Sequence, residues 1–312
     1  MVAKPQAAIQ TRRTEVVRRG TSAYNRPQPH AIPVWECEVP ELPEVETVVR
    51  DLRPHLTGRR FDAARASKKA LRKPWRPAWN AQLVGRIVEA VRRRGKWIVL
   101  DLNDGAHLVV HLGMTGQFRV FAVGEPIADH THLVFRLDDG RELRFRDIRR
   151  FGSATLFAAR SDLDAFFAAT KLGPEPFDLA AAPWREALTR TDRCLKAVLL
   201  DQGVVAGVGN IYADESLFEA KLHPARPASG LSAAEAERLR KAVVVVLNRA
   251  IEKRGTSIRT YVGGTGLKGA YQEEFRAYGR TGSPCRRCRT TIVRVRLAGR
   301  STHYCPRCQK SN

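Results

Sequence analysis

No apolar run in this 312-residue sequence approaches the roughly 20 residues that a membrane-spanning helix needs, which sets helical membrane proteins aside. There is no secretory h-region either, so nothing points to an oxidising compartment. Cysteine is sparse at six residues, and four of these form two C-x-x-C pairs, Cys285/Cys288 and Cys305/Cys308. That arrangement argues for metal and a reducing cytoplasm rather than for disulfides. Acidic side chains are outnumbered by basic ones, 32 against 54, and the formal charge of +22 calls for a polyanionic partner. With the membrane set aside, nucleic acid is the better reading.

The length accommodates two domains with their own cores and a small appendage. Residues 1–38 carry six basic and three acidic side chains, several prolines and little hydrophobic periodicity. They read as a disordered tail or a mis-assigned start. A transit peptide fits poorly, given Glu15, Glu36 and Glu38 and the missing amphipathic pattern.

Pro40-Glu41-Leu42-Pro43-Glu44-Val45-Glu46 packs prolines and carboxylates directly ahead of an amphipathic pattern. Pro43 suits a first helical turn, Val45, Val48, Val49 and Leu52 recur at helical spacing, and Pro54 and Gly58 are expected to stop the run. On residue type alone, Glu41, Glu44 and Glu46 read as charge compensation at a helix N-terminus. From Lys96 the pattern is that of strands. Residues 97–102 and 107–112 flank an Asn-Asp-Gly turn, residues 132–137 and 141–146 flank Asp-Asp-Gly, and alternation continues through 151–157. These hairpins predict a β-sandwich with the Pro43 helix against one edge. Beyond about residue 160 the period is helical. Cys194, Leu195, Val198 and Leu199 mark one helix, and Ile211 to Ala220 a second, after the turn Val205 to Asn210. Ser232 and Glu235 make a capping box for a third, closing near Gly255. Gly263, Gly264, Gly266 and Gly269 mark a loop around Lys268.

The two C-x-x-C pairs are separated by sixteen residues, a zinc spacing in which knuckles on a hairpin supply four thiolates. Four thiolates leave no open position for water, so this zinc is expected to be structural. Residues 292–297 alternate as a strand would, and six arginines, Arg286, Arg287, Arg289, Arg294, Arg296 and Arg300, make the finger basic enough for phosphate.

PELPEVETV at residues 40–48 resembles the amino terminus of bacterial formamidopyrimidine-DNA glycosylases. Ala206-Gly207-Val208-Gly209-Asn210-Ile211-Tyr212-Ala213-Asp214-Glu215 resembles the turn of the same family and the cysteine finger its zinc β-hairpin, so the resemblance runs from Pro40 almost to the C-terminus. It implies an α+β protein: an N-terminal antiparallel β-sandwich with flanking helices (40–160), a helix-two-turn-helix DNA-binding domain with a lesion-capping loop around 261–272 (161–280), and a zinc β-hairpin finger (281–312). Residues 1–39 would be the extension or mis-assigned start.

The same resemblance implies the chemistry. The enzyme would excise oxidised purines from double-stranded DNA and cut the strand by β,δ-elimination, as a monomer in the cytoplasm at the nucleoid. Pro40 would be the nucleophile through a free secondary amine, Glu41 would exchange protons with the opening sugar, and Glu44 would support the site. An N-terminal amine suits this work: with a pKa near 8, roughly a tenth of it is neutral at pH 7. Because an amide nitrogen cannot attack carbon, residues 1–39 are expected to be absent from the active form. Val39 fits a bacterial GTG start codon. Lys96, His111, Asn210 and Arg300 would contact phosphates around the lesion, and the turn's glycines would let backbone N–H groups approach one. Met114 would fill the void left by the flipped base, Arg149 would pair with the orphaned base, and Phe151 would insert beside it. On residue type alone Met114 and Phe151 read as core. Lys196 would help handle oxidised guanine, with a solvated helix lysine as the alternative. An endonuclease VIII-like enzyme for oxidised pyrimidines is the nearest competing activity. A non-catalytic zinc-ribbon DNA-binding protein competes if Pro40 stays blocked.

Overall fold

The computed structural model describes Met1, residues 39–257 and residues 263–311. The described residues from 39 onward form one compact unit. Met1 and Val39 apart, the expected N-terminal extension lies outside the described residues, as do positions 261 and 262 of the expected capping loop.

Helix α1 spans Leu42–Leu56, with Pro43 in its first turn. It passes through Pro54, where the sequence pattern predicts a stop, and ends just before Gly58 (φ +79°). A proline in the final turn forfeits one backbone bond and leaves the rest of the helix intact. The strands β1 (Phe61–Ala66), β2 (Val88–Arg94), β3 (Trp97–Leu102), β4 (His107–His111), β5 (Gly116–Phe121), β6 (Thr131–Leu137), β7 (Glu142–Asp147) and β8 (Ser153–Phe157) follow, with the short helix α2 (Ala78–Leu83) between β1 and β2. They form two antiparallel four-stranded sheets, ordered β1-β6-β7-β5 and β2-β3-β4-β8.

Alternation decides which side chains face inward. Ile98, Leu100, Leu108 and Val110 meet Phe118, Phe135 and Phe145 between the sheets, whereas Val99 and Val109 point outward against Leu163 of α3 (Arg160–Ala169). Two sheet edges, β2 and β5, lie on the side where α1 packs, so the helix covers an opening that would otherwise expose unpaired backbone.

The second core is helical. Helices α4 (Ala181–Thr189), α5 (Leu195–Leu200), α6 (Asn210–Ala220) and α7 (Ala233–Glu252) surround Trp184, Leu199, Tyr212, Leu239 and Leu247. The capping box of α7 is formed: Glu235 N–H donates to Ser232 Oγ (3.3 Å) and Ser232 N–H to the Glu235 carboxylate (2.9 Å). Helix α1 belongs to both cores, since Leu42 is packed among the helices while Val45, Val48, Val49 and Leu52 are packed in the sandwich. A final hairpin, β9 (Val293–Leu297) and β10 (Arg300–Tyr304), carries the cysteine pairs on its flanks. Among the described residues no helix is long and apolar enough to cross a membrane.

Candidate active site

Glu41 immediately precedes α1, and its carboxylate is driven into the N-terminus of α6. It accepts N–H bonds from Gly209 (2.6 Å), Ile211 (2.9 Å) and Tyr212 (3.4 Å). Those amides have no partner within their own helix, and the helix dipole favours an anion there. The approach is close enough to dictate the sequence of the turn. A Cβ on Gly209 would stand 2.4 Å from the Glu41 carboxyl carbon, and one on Gly207 (φ +88°) would stand 2.6 Å from Leu42 Cβ. Leu42 N–H completes the joint by donating to Gly207 O (3.0 Å). This corrects one expectation: the turn's N–H groups at 209, 211 and 212 are occupied by Glu41 rather than held open for a phosphate.

Burial raises the Glu41 pKa to about 7, against the lowering field of Lys96, with Glu44 pushing in the same direction as burial. Glu44 is itself raised by burial. It acts as a bracket, accepting from Glu41 N–H (3.0 Å), Tyr212 Oη (2.5 Å), Thr256 N–H (2.7 Å) and Thr256 Oγ1 (2.9 Å). One carboxylate thus ties α1 to α6 and to the segment after α7. Sequence reasoning alone does not single out Tyr212 or Thr256. Tyr212 sits inside the quoted turn motif, whereas nothing around Thr256 distinguishes it. Pro40 is buried beside this pair, and its nitrogen is in the peptide bond to Val39.

Lys96 occupies the β2–β3 turn, half-buried. The turn is fixed by Glu175, which accepts from Gly95 N–H (2.6 Å), Arg93 (2.6 Å) and Arg94 (3.0 Å). Glu46 pairs with Arg50 (2.9 Å) and Arg93 (3.0 Å). His111 ends β4 with its ring 4.6 Å from that of Trp97, and its Nδ1 accepts Gly113 N–H (3.0 Å). Burial, then Lys96, Arg72 and Lys73, depress its pKa to about 4. The imidazole is therefore neutral at pH 7 and carries its proton on Nε2, a donor suited to an anion.

Met114, Arg149 and Phe151 share one rim. A Cβ on Gly113 would meet Gly152 N at 2.4 Å, so the two loops touch backbone to backbone. Buried Asp147 laces them together, accepting from Thr115 Oγ1 (2.5 Å), Arg149 N–H (3.2 Å) and Gly152 N–H (2.7 Å). Phe151 is 42% exposed with the Arg149 guanidinium 4.6 Å over its ring, which excludes the core reading for it. Met114 is half-buried.

Two residues stand apart. Arg300 is exposed at the start of β10 on the finger hairpin. Lys196 is fully buried: its Nζ donates to Asp214 Oδ1 (2.5 Å) and to the carbonyl of Asn210 (2.9 Å). Both expectations for Lys196 are corrected, because a lysine at 0% exposure that neutralises a buried carboxylate is neither solvated nor facing DNA. Asn210 itself is half-buried at the first position of α6.

The sulfurs of Cys285, Cys288, Cys305 and Cys308 all lie within 4.8 Å of one another. Arg287 N–H points at Cys285 Sγ and Cys308 N–H at Cys305 Sγ, both at 3.4 Å, as turns shaped to stabilise thiolates do. The donor set fits one tetrahedral zinc ion with no vacant position.

The chain matches the formamidopyrimidine-DNA glycosylase N-terminal domain over residues 39–154, the H2TH domain of the same enzymes over 172–262, and the zinc finger found in FPG and IleRS over 282–310. It is 45% identical over 276 residues to a formamidopyrimidine-DNA glycosylase of Geobacillus kaustophilus, covering 87% of this chain and all of that one. With one from Herpetosiphon aurantiacus the identity is 46% over 275 residues, with the same coverage. Among solved structures, Lactococcus lactis Fpg with abasic-site DNA superimposes with a TM-score of 0.80 at 35% identity, covering 86% of this chain and 99% of that one. MutM with DNA containing carbocyclic 8-oxo-G gives 0.80 at 35% identity, covering 87% of this chain and 100% of that one.

A carboxyl raised from 4.5 to about 7 makes the folded 312-residue chain bind more protons than the unfolded one between those values, so its contribution to stability is present below pH 4.5 and lost as pH rises through 7. Urea unfolding at pH 5 and pH 8 should show wild type losing about 2.5 kcal/mol more than Glu41→Gln across that interval. An identical pH dependence would mean that Glu41 titrates normally. Cys305→Ser should lose zinc, read by atomic absorption, and weaken DNA binding, because the metal holds the finger hairpin together. A zinc-free, folded variant binding DNA like wild type would contradict this.

Proposed function

The chain belongs to the formamidopyrimidine-DNA glycosylase family, and from that premise we propose that Pro40 and Glu41 carry out excision of an oxidised purine from duplex DNA. The protein is a DNA glycosylase of oxidised-purine repair with the strand-cutting lyase activity general to that family, and it holds one structural zinc ion. The observation carrying the assignment of residues is the position of Glu41: a buried carboxyl with a pKa of about 7, next in sequence to the proline whose amine would attack. A group half-protonated at neutral pH can both give and accept a proton, which the reaction asks of it in turn.

Once its nitrogen is free, Pro40 attacks C1′ of the damaged nucleotide and the bond from C1′ to the base breaks. Glu41 delivers a proton to the ring oxygen as the sugar opens, leaving an iminium between Pro40 and C1′. The iminium acidifies the C2′ hydrogen. Loss of that proton expels the 3′ phosphate, and a second elimination expels the 5′ phosphate, so a one-nucleotide gap with phosphates at both ends remains. Glu44 holds Glu41 in place through the backbone. Lys96, neutral His111, Asn210 and Arg300 take phosphates of the damaged strand, while Met114 and Phe151 fill the vacated stack and Arg149 meets the orphaned base. Glu41, Glu44, Tyr212 and Thr256 all come from one chain, which supports a monomer as the working unit.

A form whose first residue is Pro40 should be trapped covalently on 8-oxoguanine DNA by borohydride, whereas the intact 312-residue chain should not. If the intact chain, verified by mass spectrometry, traps equally well, Pro40 is not the nucleophile. Within the Pro40-initiated form, Phe151→Ala should slow excision of a paired lesion by at least about tenfold, since unstacking costs a few kcal/mol, while cutting of a preformed abasic site should be much less affected. Equal losses on both substrates would count against insertion.

A further inference from the structure

Between β1 and α2 runs a segment that neither the catalytic residues nor the rim loops include. Lys68, Lys69, Arg72, Lys73 and Arg76 all stand exposed on it, and no acidic residue occurs from Ser67 until Glu89. Among the described residues no carboxylate pairs with any of the five. Lys73 lies 4.9 Å over the Phe166 ring and Arg76 5.3 Å over that of Trp79, contacts that leave both charges available.

Uncompensated charge on a floppy loop would be unremarkable, but this loop is pegged. Leu71 is buried in the sandwich core, and Trp75 packs on Phe135 (ring centroids 5.8 Å) and Trp79 (5.0 Å) while its indole N–H donates to Asn80 (2.9 Å). Ser67 N–H donates to His132 O (2.8 Å), and Arg72 N–H donates to the carbonyl of Arg150 (3.0 Å). That last bond joins the segment to the rim that carries Arg149 and Phe151. Between them lies a depression of about 560 Å3, lined by Ala70, Leu71, Arg72, Arg149, Arg150 and Phe151. Self-repelling cations held in place by apolar pegs cost stability unless a polyanion neutralises them.

We propose that residues 68–76 clamp the phosphate backbone of the strand opposite the lesion. The inference rests on the reading of Arg149 as the partner of the orphaned base. That base belongs to the opposite strand, and the segment is hydrogen-bonded to the very next residue, so the phosphates it meets first are those of that strand. Five exposed Lys and Arg side chains offer charge without a base-reading array, so the binding is independent of sequence.

Neutralising one phosphate-binding cation takes about 0.9 off the slope of log K against log[salt], so Lys68→Gln/Lys69→Gln should lower that slope by about 2. The intact chain and a duplex carrying a stable abasic analogue serve for the titration. Neutral methylphosphonate linkages opposite the lesion should lower the slope for wild type and leave that of the double variant unchanged. Lys68→Arg/Lys69→Arg should keep the wild-type slope, which separates charge from folding. An unchanged slope overturns the clamp, as does a slope reduced equally in the arginine variant. The strand assignment fails if methylphosphonates in the lesion strand, and not opposite it, abolish the difference. Borohydride trapping by the Pro40-initiated form at low salt and saturating DNA should be the same with and without the two glutamines. Loss of trapping in both forms would sink the proposed function and leave the clamp standing.

Discussion

A carboxylate seated on the N-terminus of a helix holds this protein together at the point where it would act. Glu41 belongs to the sandwich half through α1, and the N–H groups it accepts belong to the helical half through α6. Neither half can be displaced without stranding a buried charge or orphaning several amides, and each of those costs more than an ordinary hydrogen bond. The glycines at 207 and 209 exist to permit this contact, since a side chain at either position would collide with Leu42 or with Glu41. The same contact leaves Glu41 dry enough to hold a proton near neutrality, so the joint that fixes the geometry also sets the acid–base chemistry.

The pattern repeats elsewhere. In a chain with an excess of 22 positive charges, buried acids serve as internal ties while bases such as Lys68, Lys69, Arg72, Lys73 and Arg76 are turned outward. Asp147 laces the two rim loops, and Glu175 fixes the turn that presents Lys96. Glu215 accepts the N–H groups of residues 276, 277 and 278 just ahead of the finger. Asp51 takes Arg254 (2.7 Å) and holds Thr265, so both flanks of the loop after α7 are drawn onto α1. Each tie satisfies donors that no secondary structure could reach. The outward face is left with cations whose natural counter-ions are phosphates.

What the sequence displayed well was local. The hairpins at Asn103-Asp104-Gly105 and Asp138-Asp139-Gly140, the Ser232–Glu235 box and the cysteine spacing each depend on residues a few positions apart, and each is present in the fold. β1 and β2 carry no readable strand signal because they lack clean alternation: β2 reads Val-Glu-Ala-Val-Arg-Arg-Arg, and three of its cations are committed to carboxylates elsewhere. The roles of Thr256, Asp147 and Lys196 were beyond reach for a different reason. Thr256 meets Glu44 across 212 positions, and no periodicity encodes such a meeting. The turn motif is recognisable while the partner of its amides is not, since Gly-Val-Gly-Asn does not say whether they face a phosphate or a carboxylate from the same chain.

Lys196 shows what the burial of a charged residue can accomplish at a distance. Its ammonium spans the Asn210 carbonyl and Asp214 Oδ1, and the other oxygen of Asp214 accepts the backbone N–H (2.8 Å) and the ring Nδ1 (3.0 Å) of His303 in β10. A connected path therefore runs from the first turn of α6, where Glu41 is held, to the strand that begins with Arg300. The zinc ligands fix the finger's own shape but not its position relative to the rest, which Asp214 and Glu215 on adjacent positions of α6 hold together with Arg287 on the Phe218 carbonyl and Gln309 on the Leu222 carbonyl. Phe218 packs against Cys285, Ile292 and Cys305, a contact that holds the finger without fixing its direction, whereas Asp214 Oδ2 takes both the backbone N–H and the ring of His303 while Lys196 pins Oδ1, and this directional pair orients the hairpin. The exposed Arg300 is in this way set, through buried groups, by the same helix whose N-terminus positions Glu41.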